Sequence, residues 1–350
     1  VGTVETRIGD EVVPALRTTP EASELQSLAA VMRERHMRNL IMEVSSHAVS
    51  LNRIGGSHFN IAAFTNLSQD HLDFHGDMDA YFAAKAALFS HKYADCAYIN
   101  IDSAWSKKLM DIQELPVVQI SRNAKSADWY FERIEIGLHS TAIAIRGTGG
   151  ILIETTTKLV GDFNLDNLLM AIAISVASGI DPIDIAAITP KLTGAEGRLE
   201  KVDLGQSFSA LVDYAHSPDS VMRVLAALRE STAGKIIAVL GCGGDRDKSK
   251  RTLMGAALIA GSDVAIFTSD NPRSEDPAQI VKEMVSGLTL PASASIELDR
   301  KRAIEIAVAA AETGDVVVLL GKGHEPGQEI AGVKHNFDDR LVLAAAIEAT

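Results

Sequence analysis

The stretch that decides the fold covers residues 62–89 and reads AAFTNLSQDHLDFHGDMDAYFAAKAALF. It overlaps an apolar run at residues 61–64, which predicts a buried strand that ends at Thr65-Asn66. A polar loop with closely spaced aspartates and histidines follows, and Asp77 is placed to cap a helix that we expect to reach about Ser90. Open α/β sheets carry their chemistry at the carboxyl ends of strands, so this loop is the first candidate site.

Lys85 is unusual in this helix because it shares a face with Tyr81, Ala84 and Leu88 at helical spacing. The ordinary interpretation is a lysine that extends its ammonium group to solvent, since lysine is rarely buried. The alternative is a buried amine that serves a purpose. Burial lowers the pKa of an amine and makes it a nucleophile, and a neutral amine reacts with carbon dioxide to give a carbamate, which is a metal ligand.

As a whole, the stretch resembles the Mur ligases, the ATP-dependent enzymes that form amide bonds in peptidoglycan precursors. The family pattern is TNL…DHLD.H…Y..AK..LF, and in that family the lysine is carbamylated. The matching residues are Thr65-Asn66-Leu67, Asp70-His71-Leu72-Asp73, His75, Tyr81, Ala84-Lys85 and Leu88-Phe89. So many fixed residue types at fixed spacing make the resemblance specific.

A second short buried strand is predicted at residues 39–44 (NLIMEV), with Glu43 and Ser45 near its carboxyl end. As a purely structural residue, Glu43 would cap the next helix. Two strand ends that present Glu43 and His71, followed by a helix that carries Lys85, suit magnesium better, since this ion prefers oxygen ligands and recruits substrate phosphates. The sequence therefore predicts that Glu43, His71 and carbamylated Lys85 hold Mg²⁺.

Composition excludes several classes of function. The chain has 350 residues, enough for two domains, and a formal net charge of −13. That charge argues against general binding to nucleic acid or anionic membranes, and no apolar run is long enough to span a bilayer. The two cysteines cannot form a disulfide framework, and residues 1–11 do not resemble a signal peptide. We therefore expect a cytoplasmic protein, and we expect it to be a monomer.

The pattern along the chain predicts an α/β protein with two domains. The first, residues 1–198, resembles the central ATPase-type domain of the Mur ligases, with a parallel sheet and a small antiparallel section within residues 129–155. After Gly197-Arg198 a new alternation of strands and helices begins, which predicts a doubly wound, Rossmann-like domain over residues 199–350. Its predicted strands cover residues 210–213, 236–240, 264–268, 295–298 and 316–320.

Polar motifs follow the strands of this second domain. The turn GCGGDRDK at residues 241–248 lets backbone amides approach an anion. The motif DNPR at residues 270–273 is the most informative, because in tripeptide synthetases of the Mur family it accompanies meso-diaminopimelate as the added amino acid. Diaminopimelate differs from lysine by a distal carboxylate, which arginine binds bidentately.

The resemblance implies a role for further residues that match the family's motifs. ATP would contact Asn167, Arg198, Asp213 and His216. The UDP-linked peptide would contact Thr18, Thr19, Ser45 and Arg53. Diaminopimelate would contact Arg246, Asp270, Asn271, Pro272, Arg273, Gly321 and Glu325, the last two within the motif GKGHE.

The implied activity is ATP-dependent ligation of meso-diaminopimelate to the D-Glu γ-carboxylate of UDP-N-acetylmuramoyl-L-Ala-D-Glu, through an acyl phosphate. The chain contains no GxxxxGK[ST] loop, whereas the family carries a GTNGKT-type loop and a UDP-binding domain upstream of the segment Gly2-Thr3. We therefore expect a fragment that lacks both and is inactive alone. The alternatives are a non-catalytic binding fragment and a folylpolyglutamate synthetase-like ligase, which should lack DNPR and GKGHE together. Leu51 departs from relatives that place glutamine there.

Overall fold

The computed structural model describes residues 1–136 and 140–350. The chain divides into two compact units. The first contains Val1–Ser68, Phe74–Leu159 and Phe163–Leu192, and the second contains Gln69–Asp73, Val160–Asp162 and Thr193–Thr350. The short loop that carries Asp70 and His71 therefore belongs to the second unit, although the segments on both sides of it belong to the first.

The first unit begins with a hairpin and two helices. They are β1 (Glu5–Ile8), β2 (Glu11–Pro14), α1 (Ala22–Glu34) and α2 (Ser46–Ser50). Helix α1 starts with a capping box in which Glu21 and Glu24 bond each other's backbone, and it buries Leu25 and Met32. Ser45 caps α2 by accepting a hydrogen bond from the backbone nitrogen of Ala48 at 3.2 Å.

A six-stranded mixed sheet forms the centre of the first unit. Its strands are β3 (Phe59–Phe64), β4 (Ala94–Asn100), β5 (Val117–Ser121), β6 (Trp129–Ile136), β7 (Thr141–Arg146) and β8 (Leu152–Thr157). They lie in chain order, parallel from β3 to β6 and antiparallel from β6 to β8. This arrangement confirms the predicted parallel sheet with a small antiparallel section.

Helices cover this sheet and provide its apolar core. They are α3 (Leu72–His75), α4 (Met78–Ala86), α5 (Ser106–Asp111), α6 (Asp162–Ala177) and α7 (Pro182–Ile188). Helix α6 is the most buried, and its Leu169 packs in one cluster with Trp129 and Ile145 of the antiparallel strands. Asp77 caps α4 as predicted, by accepting a hydrogen bond from the backbone nitrogen of Ala80 at 2.8 Å.

The predicted buried strand at residues 39–44 is wrong. The structure has no strand there, and Ile41 is 77% exposed. Two backbone hydrogen bonds of 2.9 Å each join the segment to Val1, one at Ile41 and one at Glu43. An apolar run forms a strand only where a neighbouring strand completes its hydrogen bonds, and among the described residues no strand pairs with this one.

The second unit contains a six-stranded sheet with helices between its strands. The strands are β9 (Glu200–Lys201), β10 (Ser209–Asp213), β11 (Ile236–Leu240), β12 (Val264–Phe267), β13 (Ala294–Ile296) and β14 (Val316–Leu320). The helices are α8 (Pro218–Ser231), α9 (Lys250–Gly261), α10 (Pro277–Met284), α11 (Arg300–Ala309) and α12 (Asp339–Glu348). A hairpin, β15 (Gly327–Ile330) and β16 (Val333–Asn336), precedes α12.

The strand order of this sheet is β13-β12-β11-β14-β10-β9, and every pair is parallel except β10 with β9. Strands β11 and β14 are buried along their whole length, as expected for a sheet covered on both faces. The predicted doubly wound fold of this part of the chain is confirmed. Because parallel strands end at the same edge of a sheet, the loops after β10, β11, β12 and β14 lie at one edge.

No helix in the described part of the chain is long and apolar enough to cross a membrane.

Candidate functional site

Hydrogen bonds join the loops that follow β11 and β12 in the second unit. The backbone nitrogen of Gly244 donates to the carbonyl oxygen of Asn271 at 2.9 Å. The Asp245 carboxylate accepts hydrogen bonds from the backbone and hydroxyl of Ser274 at 3.1 and 2.7 Å. A Cβ at residue 244 would collide with the carbonyl oxygen of Pro272, so this close approach requires glycine. The glycine turn and the DNPR motif therefore form one structural element.

Arg273 adopts a left-handed backbone conformation, with φ of +51°. Its Nη1 donates to the carbonyl oxygen of Gly244 at 2.6 Å, and its Nε lies 3.7 Å from Oε2 of Glu329. A Cβ at Gly243 would lie only 3.0 Å from Nη1, so the glycine turn also makes room for the guanidinium group. The side chain is 23% exposed, which leaves it accessible to a ligand.

A buried lysine links the motifs DNPR and GKGHE. Lys322 is fully buried, and its Nζ donates to the carbonyl oxygen of Gly327 at 2.6 Å. The same ammonium donates to Asn271 Oδ1 and Glu325 Oε2, both at 3.3 Å, and lies 3.9 Å from Asp270 Oδ1. Asn271 Nδ2 donates to Glu325 Oε2 at 2.7 Å. Three residues predicted to bind the amino acid, Asp270, Asn271 and Glu325, are thus brought together.

Sequence reasoning gave Lys322 no role, and it also missed Gln328. The amide nitrogen of Gln328 donates to the carbonyl oxygen of Asp270 at 2.7 Å and to the hydroxyl of Ser269 at 3.1 Å. Gln328 lies in hairpin β15–β16, which was not predicted. The signal available for Lys322 was a charged residue between two glycines, the first of which directly follows an all-apolar strand.

A fully buried ion pair stabilises the loops that follow β12 and β14. Arg300 Nε and Nη2 donate to the two carboxylate oxygens of Asp339 at 2.8 and 2.5 Å. The same guanidinium donates to the carbonyl oxygens of Ser269 at 3.3 Å and Leu320 at 3.0 Å. Those residues directly precede Asp270 and Gly321, so the pair fixes the ends of both site-bearing strands.

A second buried arginine fixes the loop after β11. Arg251 is 1% exposed, and its nitrogens donate to both carboxylate oxygens of Glu275 at 3.0 and 2.8 Å. It also donates to Glu283 at 2.6 Å and to the carbonyl oxygen of Gly243 at 3.2 Å. The hydrogen bonds from Arg251 lower the pKa of Glu275 to about 2. Glu275 follows the DNPR motif, so this pairing holds the two loops together.

The residues predicted to contact ATP in the second unit lie around the end of β10. Asp213 is buried and accepts backbone hydrogen bonds from Leu199 at 2.7 Å and Ala215 at 2.8 Å. Burial raises the pKa of Asp213, although these two hydrogen bonds oppose the change. The guanidinium group of Arg198 lies 4.7 Å from the ring centroid of Tyr214, and burial raises the pKa of Tyr214 to about 12.

His216 and Asp70 form a charged cluster in the second unit. His216 Nε2 lies 3.2 Å from Asp70 Oδ2, and His216 Nδ1 lies 2.7 Å from the carbonyl oxygen of Tyr214. Lys250 Nζ lies 3.3 Å from Asp70 Oδ1. Burial disfavours the Asp70 carboxylate, but the hydrogen bond from His216 and the nearby positive charges hold the pKa of Asp70 below its usual range.

In the first unit, Glu43 is held by threonines. Oε2 of Glu43 accepts hydrogen bonds from Thr3 Oγ1 at 2.6 Å and from the Thr3 backbone at 3.3 Å. Thr19 Oγ1 donates to the carbonyl oxygen of Glu43 at 2.8 Å and accepts from the backbone nitrogen of Ser45 at 3.1 Å. The hydroxyls of Thr3 and Thr18 are 3.1 Å apart. Glu43, Thr18, Thr19 and Ser45 are therefore neighbours.

Lys85 is half-buried on α4, and its Nζ lies 5.2 Å from the ring centroid of Tyr81. The ring of His75 stacks on Tyr81 at 5.1 Å, and His75 Nε2 lies 2.9 Å from the hydroxyl of Ser46 on α2. Of the residues predicted to share a face with Lys85, Tyr81 is buried and its ring lies next to the lysine. Within the described ranges, no group of three or more His, Cys, Asp or Glu side chains is arranged to hold a metal ion.

The remaining predicted residues are more scattered. Arg53 Nε lies 3.1 Å from Glu21 Oε1 in the first unit. Asn167 lies on the exposed side of α6 and makes no hydrogen bond to another described residue through its side chain. His71, in the second unit, has φ of +56°, and its Nε2 lies 3.7 Å from Asp70 Oδ2. Arg246 is exposed on the loop after β11.

Comparison with known proteins identifies the family. Residues 1–175 match the Mur ligase middle domain, and residues 197–323 match the Mur ligase, glutamate ligase domain. The UDP-N-acetylmuramoyl-L-alanyl-D-glutamate--2,6-diaminopimelate ligase of Streptomyces coelicolor is 49% identical, over 100% of this chain and 70% of its own length. The ligase of the same name from Syntrophomonas wolfei is 41% identical, over 98% of this chain and 71% of its own length.

Comparison with solved structures points to the same family. A structure of UDP-N-acetylmuramoyl-L-alanyl-D-glutamate--2,6-diaminopimelate ligase is 35% identical with a TM-score of 0.64, and covers 99% of this chain and 72% of that one. A folylpolyglutamate synthase of Mycobacterium tuberculosis is 20% identical with a TM-score of 0.60, over 75% of this chain and 61% of that one, which is a likeness of fold alone. The two domain matches and the relatives above 40% identity agree with the sequence motifs, and the chain belongs to the Mur ligase family.

Proposed function

We propose that this chain belongs to the ligase that joins meso-diaminopimelate to the D-Glu γ-carboxylate of UDP-N-acetylmuramoyl-L-Ala-D-Glu in peptidoglycan precursor synthesis. The observation that carries the proposal is the joined pair of loops that presents Arg273 on one side and Asp270, Asn271 and Glu325 on the other. A cation beside a group of carboxylates is complementary to an amino acid, whose carboxylate and amino group carry opposite charges.

The proposed reaction proceeds in two steps. An oxygen of the D-Glu γ-carboxylate attacks the γ-phosphorus of ATP, the bond to ADP breaks, and an acyl phosphate forms. The diaminopimelate amine then attacks the acyl carbon, phosphate leaves with the electron pair of the broken bond, and the amine loses a proton. No side chain forms a covalent intermediate, so the protein acts by positioning and by neutralising charge. ATP would contact Asn167, Arg198, Asp213 and His216.

The proposed metal is Mg²⁺, which would neutralise charge on the transferring phosphoryl group. Glu43 and His71 would bind it together with Lys85 in its carbamylated form. The donor set fits the ion, because Glu43 and a lysine carbamate supply oxygen ligands. Support comes from the two hydrogen bonds of Thr3, which orient the Glu43 carboxylate, and from the half-buried position of Lys85 next to the Tyr81 ring.

The proposed contacts of the UDP-linked peptide are Thr18, Thr19, Ser45 and Arg53. Support comes from the Thr19 hydroxyl, whose hydrogen bonds to Glu43 and Ser45 link two of the proposed contacts to one proposed metal ligand, and from the Thr18 hydroxyl, which lies 3.1 Å from that of Thr3. The diaminopimelate contacts are those of the second unit, with Arg246 and Arg273 facing the carboxylates.

The test is product formation by the intact protein, by which we mean the full-length protein that contains this chain. ATP, UDP-N-acetylmuramoyl-L-Ala-D-Glu and meso-diaminopimelate are supplied together and one at a time, and the UDP-tripeptide is measured by mass spectrometry alongside phosphate release. We expect one phosphate per tripeptide, and product only when all three substrates are present. Equal product with L-lysine, or phosphate release that does not depend on diaminopimelate, would contradict the proposal. The variant Glu230→Gln, on the exposed side of α8, is the matched control.

A further inference from the structure

We propose that His75 is a positioning residue that joins α2, the helix that follows Glu43, to Tyr81 on α4. In this way His75 fixes the place of Lys85 relative to Glu43. The inference rests on the proposed function and deepens it, because Glu43 and Lys85 are two of the proposed metal ligands. His75 matches the family pattern within residues 62–89, and the proposed reaction gives it no role. These residues all lie in the first unit.

The first contact of His75 is with α2. Its Nε2 lies 2.9 Å from the hydroxyl of Ser46, a buried residue, and this is hydrogen-bond distance. Ser46 directly follows Ser45, whose backbone nitrogen donates to Thr19 Oγ1 at 3.1 Å. The Thr19 hydroxyl in turn donates to the carbonyl oxygen of Glu43 at 2.8 Å. A short series of hydrogen bonds and one peptide link therefore connects His75 to the backbone of Glu43.

The second contact of His75 is with α4. Its ring stacks on that of Tyr81, with 5.1 Å between the centroids and 28° between the planes. Lys85 lies one helical turn after Tyr81, and its Nζ is 5.2 Å from the centroid of the same ring. Because Tyr81 is buried and Lys85 is half-buried, the ring limits the positions that the lysine side chain can take. The position of His75 thus sets the surface along which Lys85 extends.

Neighbouring rings and a short connection hold His75 in place. The ring of His47, on α2, lies 5.5 Å from that of His75 at an angle of 67°, and 4.2 Å from that of Phe74. Only Gly76 and Asp77 separate His75 from α4, and Asp77 caps that helix through its side chain. The imidazole is therefore held by α2 and by α4 at once, and replacing it loosens both contacts.

The two proposed metal ligands depend on each other. The neutral amine of Lys85 adds to the carbon of carbon dioxide, one C–O π bond opens onto oxygen, and an amine proton passes to water, which leaves a carbamate anion. Binding of one ion by this anion and Glu43 together favours the carbamate by mass action. That requires the two side chains to stay at a separation that one ion can bridge. Replacing side chains that orient metal ligands typically lowers metal affinity by about 10- to 100-fold.

The experiment follows the carbamate directly, by ¹³C NMR of the intact protein in ¹³C-labelled bicarbonate while Mg²⁺ is added without nucleotide. The signal of Lys85 is the one that Lys85→Ala removes, and in the wild-type protein we expect Mg²⁺ to raise it to a plateau. In His75→Leu the midpoint concentration of Mg²⁺ should rise about tenfold or more. In His75→Gln, which can keep a hydrogen bond to Ser46, it should rise less. The matched control is His91→Gln, at an exposed histidine of the same unit, which should leave the midpoint unchanged.

Variants of Ser46 separate positioning from folding. Ser46→Ala removes only the hydroxyl and should raise the Mg²⁺ midpoint about threefold or more, as for loss of one hydrogen bond. If the two side chains act together, Ser46→Ala/His75→Leu should need no more Mg²⁺ than His75→Leu alone. Thermal unfolding shows which variants are folded, and Ser46→Ala carries the test if His75→Leu does not fold.

The outcomes are distinguishable. A midpoint in folded His75→Leu within about twofold of the wild-type value would overturn the inference, even if ligation slowed. Additive effects of Ser46→Ala and His75→Leu would also overturn it, because the two side chains would then act separately. A wild-type protein without a Mg²⁺-dependent carbamate signal would overturn the proposed metal ligation by Lys85, and this inference with it. Absence of tripeptide in the presence of that signal would overturn the proposed reaction alone.

Discussion

Replacing Asp339 by alanine should weaken both the stability of the second unit and its affinity for diaminopimelate. Asp339 and Arg300 are fully buried, and the Asp339 carboxylate accepts two hydrogen bonds from Arg300, at 2.8 and 2.5 Å. Removing the carboxylate leaves a guanidinium in the core, because arginine does not lose its proton. Two of its donors still face the carbonyl oxygens of Ser269 and Leu320, but its charge has no counter-ion.

The expected loss of unfolding free energy in Asp339→Ala follows from these contacts. A hydrogen bond to a charged group contributes about 1.5–3 kcal/mol, so loss of two predicts about 3–6 kcal/mol. Breaking a buried ion pair by removing one partner costs about 3–5 kcal/mol, which agrees. The total is of the same order as the whole stability of a typical domain, about 5–15 kcal/mol. The double variant Arg300→Met/Asp339→Leu should recover most of the loss, since it leaves no unpaired charge.

The assay is urea unfolding followed by circular dichroism, with the loss read from the midpoint at an unchanged slope. The control variant lies on α11, the helix that carries Arg300. On this helix the exposed side chains of Arg302 and Glu305 are 3.4 Å apart. Glu305→Ala should cost less than about 1 kcal/mol, as for other surface ion pairs. A loss below about 1 kcal/mol for Asp339→Ala, or a double variant no more stable than the single one, would refute the reasoning.

Two further predictions concern Lys85 and the pair of Glu275 with Arg251. Lys85→Ala should abolish ligation while leaving the protein folded, and short carboxylic acids should partly restore product by replacing the carbamate oxygens; full activity without added acid would contradict this. Because hydrogen bonds from Arg251 hold the pKa of Glu275 at about 2, the stability that this carboxylate contributes is present above about pH 4.5 and lost as the pH falls toward 2. In a plot of unfolding free energy against pH, Glu275→Gln should therefore reduce the slope below about pH 4.5. An unchanged slope would show that the Glu275 carboxylate makes no such contribution.

Local pattern was sufficient to predict much of the sheet in the second unit. Strands β11 and β14 have the predicted bounds, residues 236–240 and 316–320, because each is a continuous apolar run that ends at a glycine turn. Local sequence also accounts for the starts of α10 and α11, since Asp276 and Asp299 cap these helices through their side chains.

The remaining features depend on contacts between residues far apart in the chain. Arg300 and Asp339 are 39 residues apart, and neither is unusual in its local sequence. Hairpin β15–β16 is short and largely exposed, so neither apolar alternation nor a strong turn motif indicated it, and Gln328 and Glu329 were missed with it. The opposite error occurred at residues 39–44, where an apolar run predicted a buried strand and the structure has none.

The packing of the glycine turn against the neighbouring loop was not predicted. The sequence indicated that backbone amides approach an anion there, and Arg246 was named as a candidate. The structure adds that Gly243 and Gly244 make room for Arg273 and Pro272 of the neighbouring loop. This second role depends on tertiary contact, which the turn itself does not encode.

The most direct test of the central claim is the ratio of kcat/KM for meso-diaminopimelate to that for L-lysine, measured in the intact protein and in Arg273→Ala. A guanidinium left without the distal carboxylate loses charge-assisted hydrogen bonds, so the wild-type preference for diaminopimelate should be on the order of 2–5 kcal/mol. In Arg273→Ala we predict a steep rise in KM for diaminopimelate, little change in KM for ATP, and a ratio that falls toward one. An unchanged ratio would contradict the claim and transfer selectivity to another side chain, with Arg246 the next candidate.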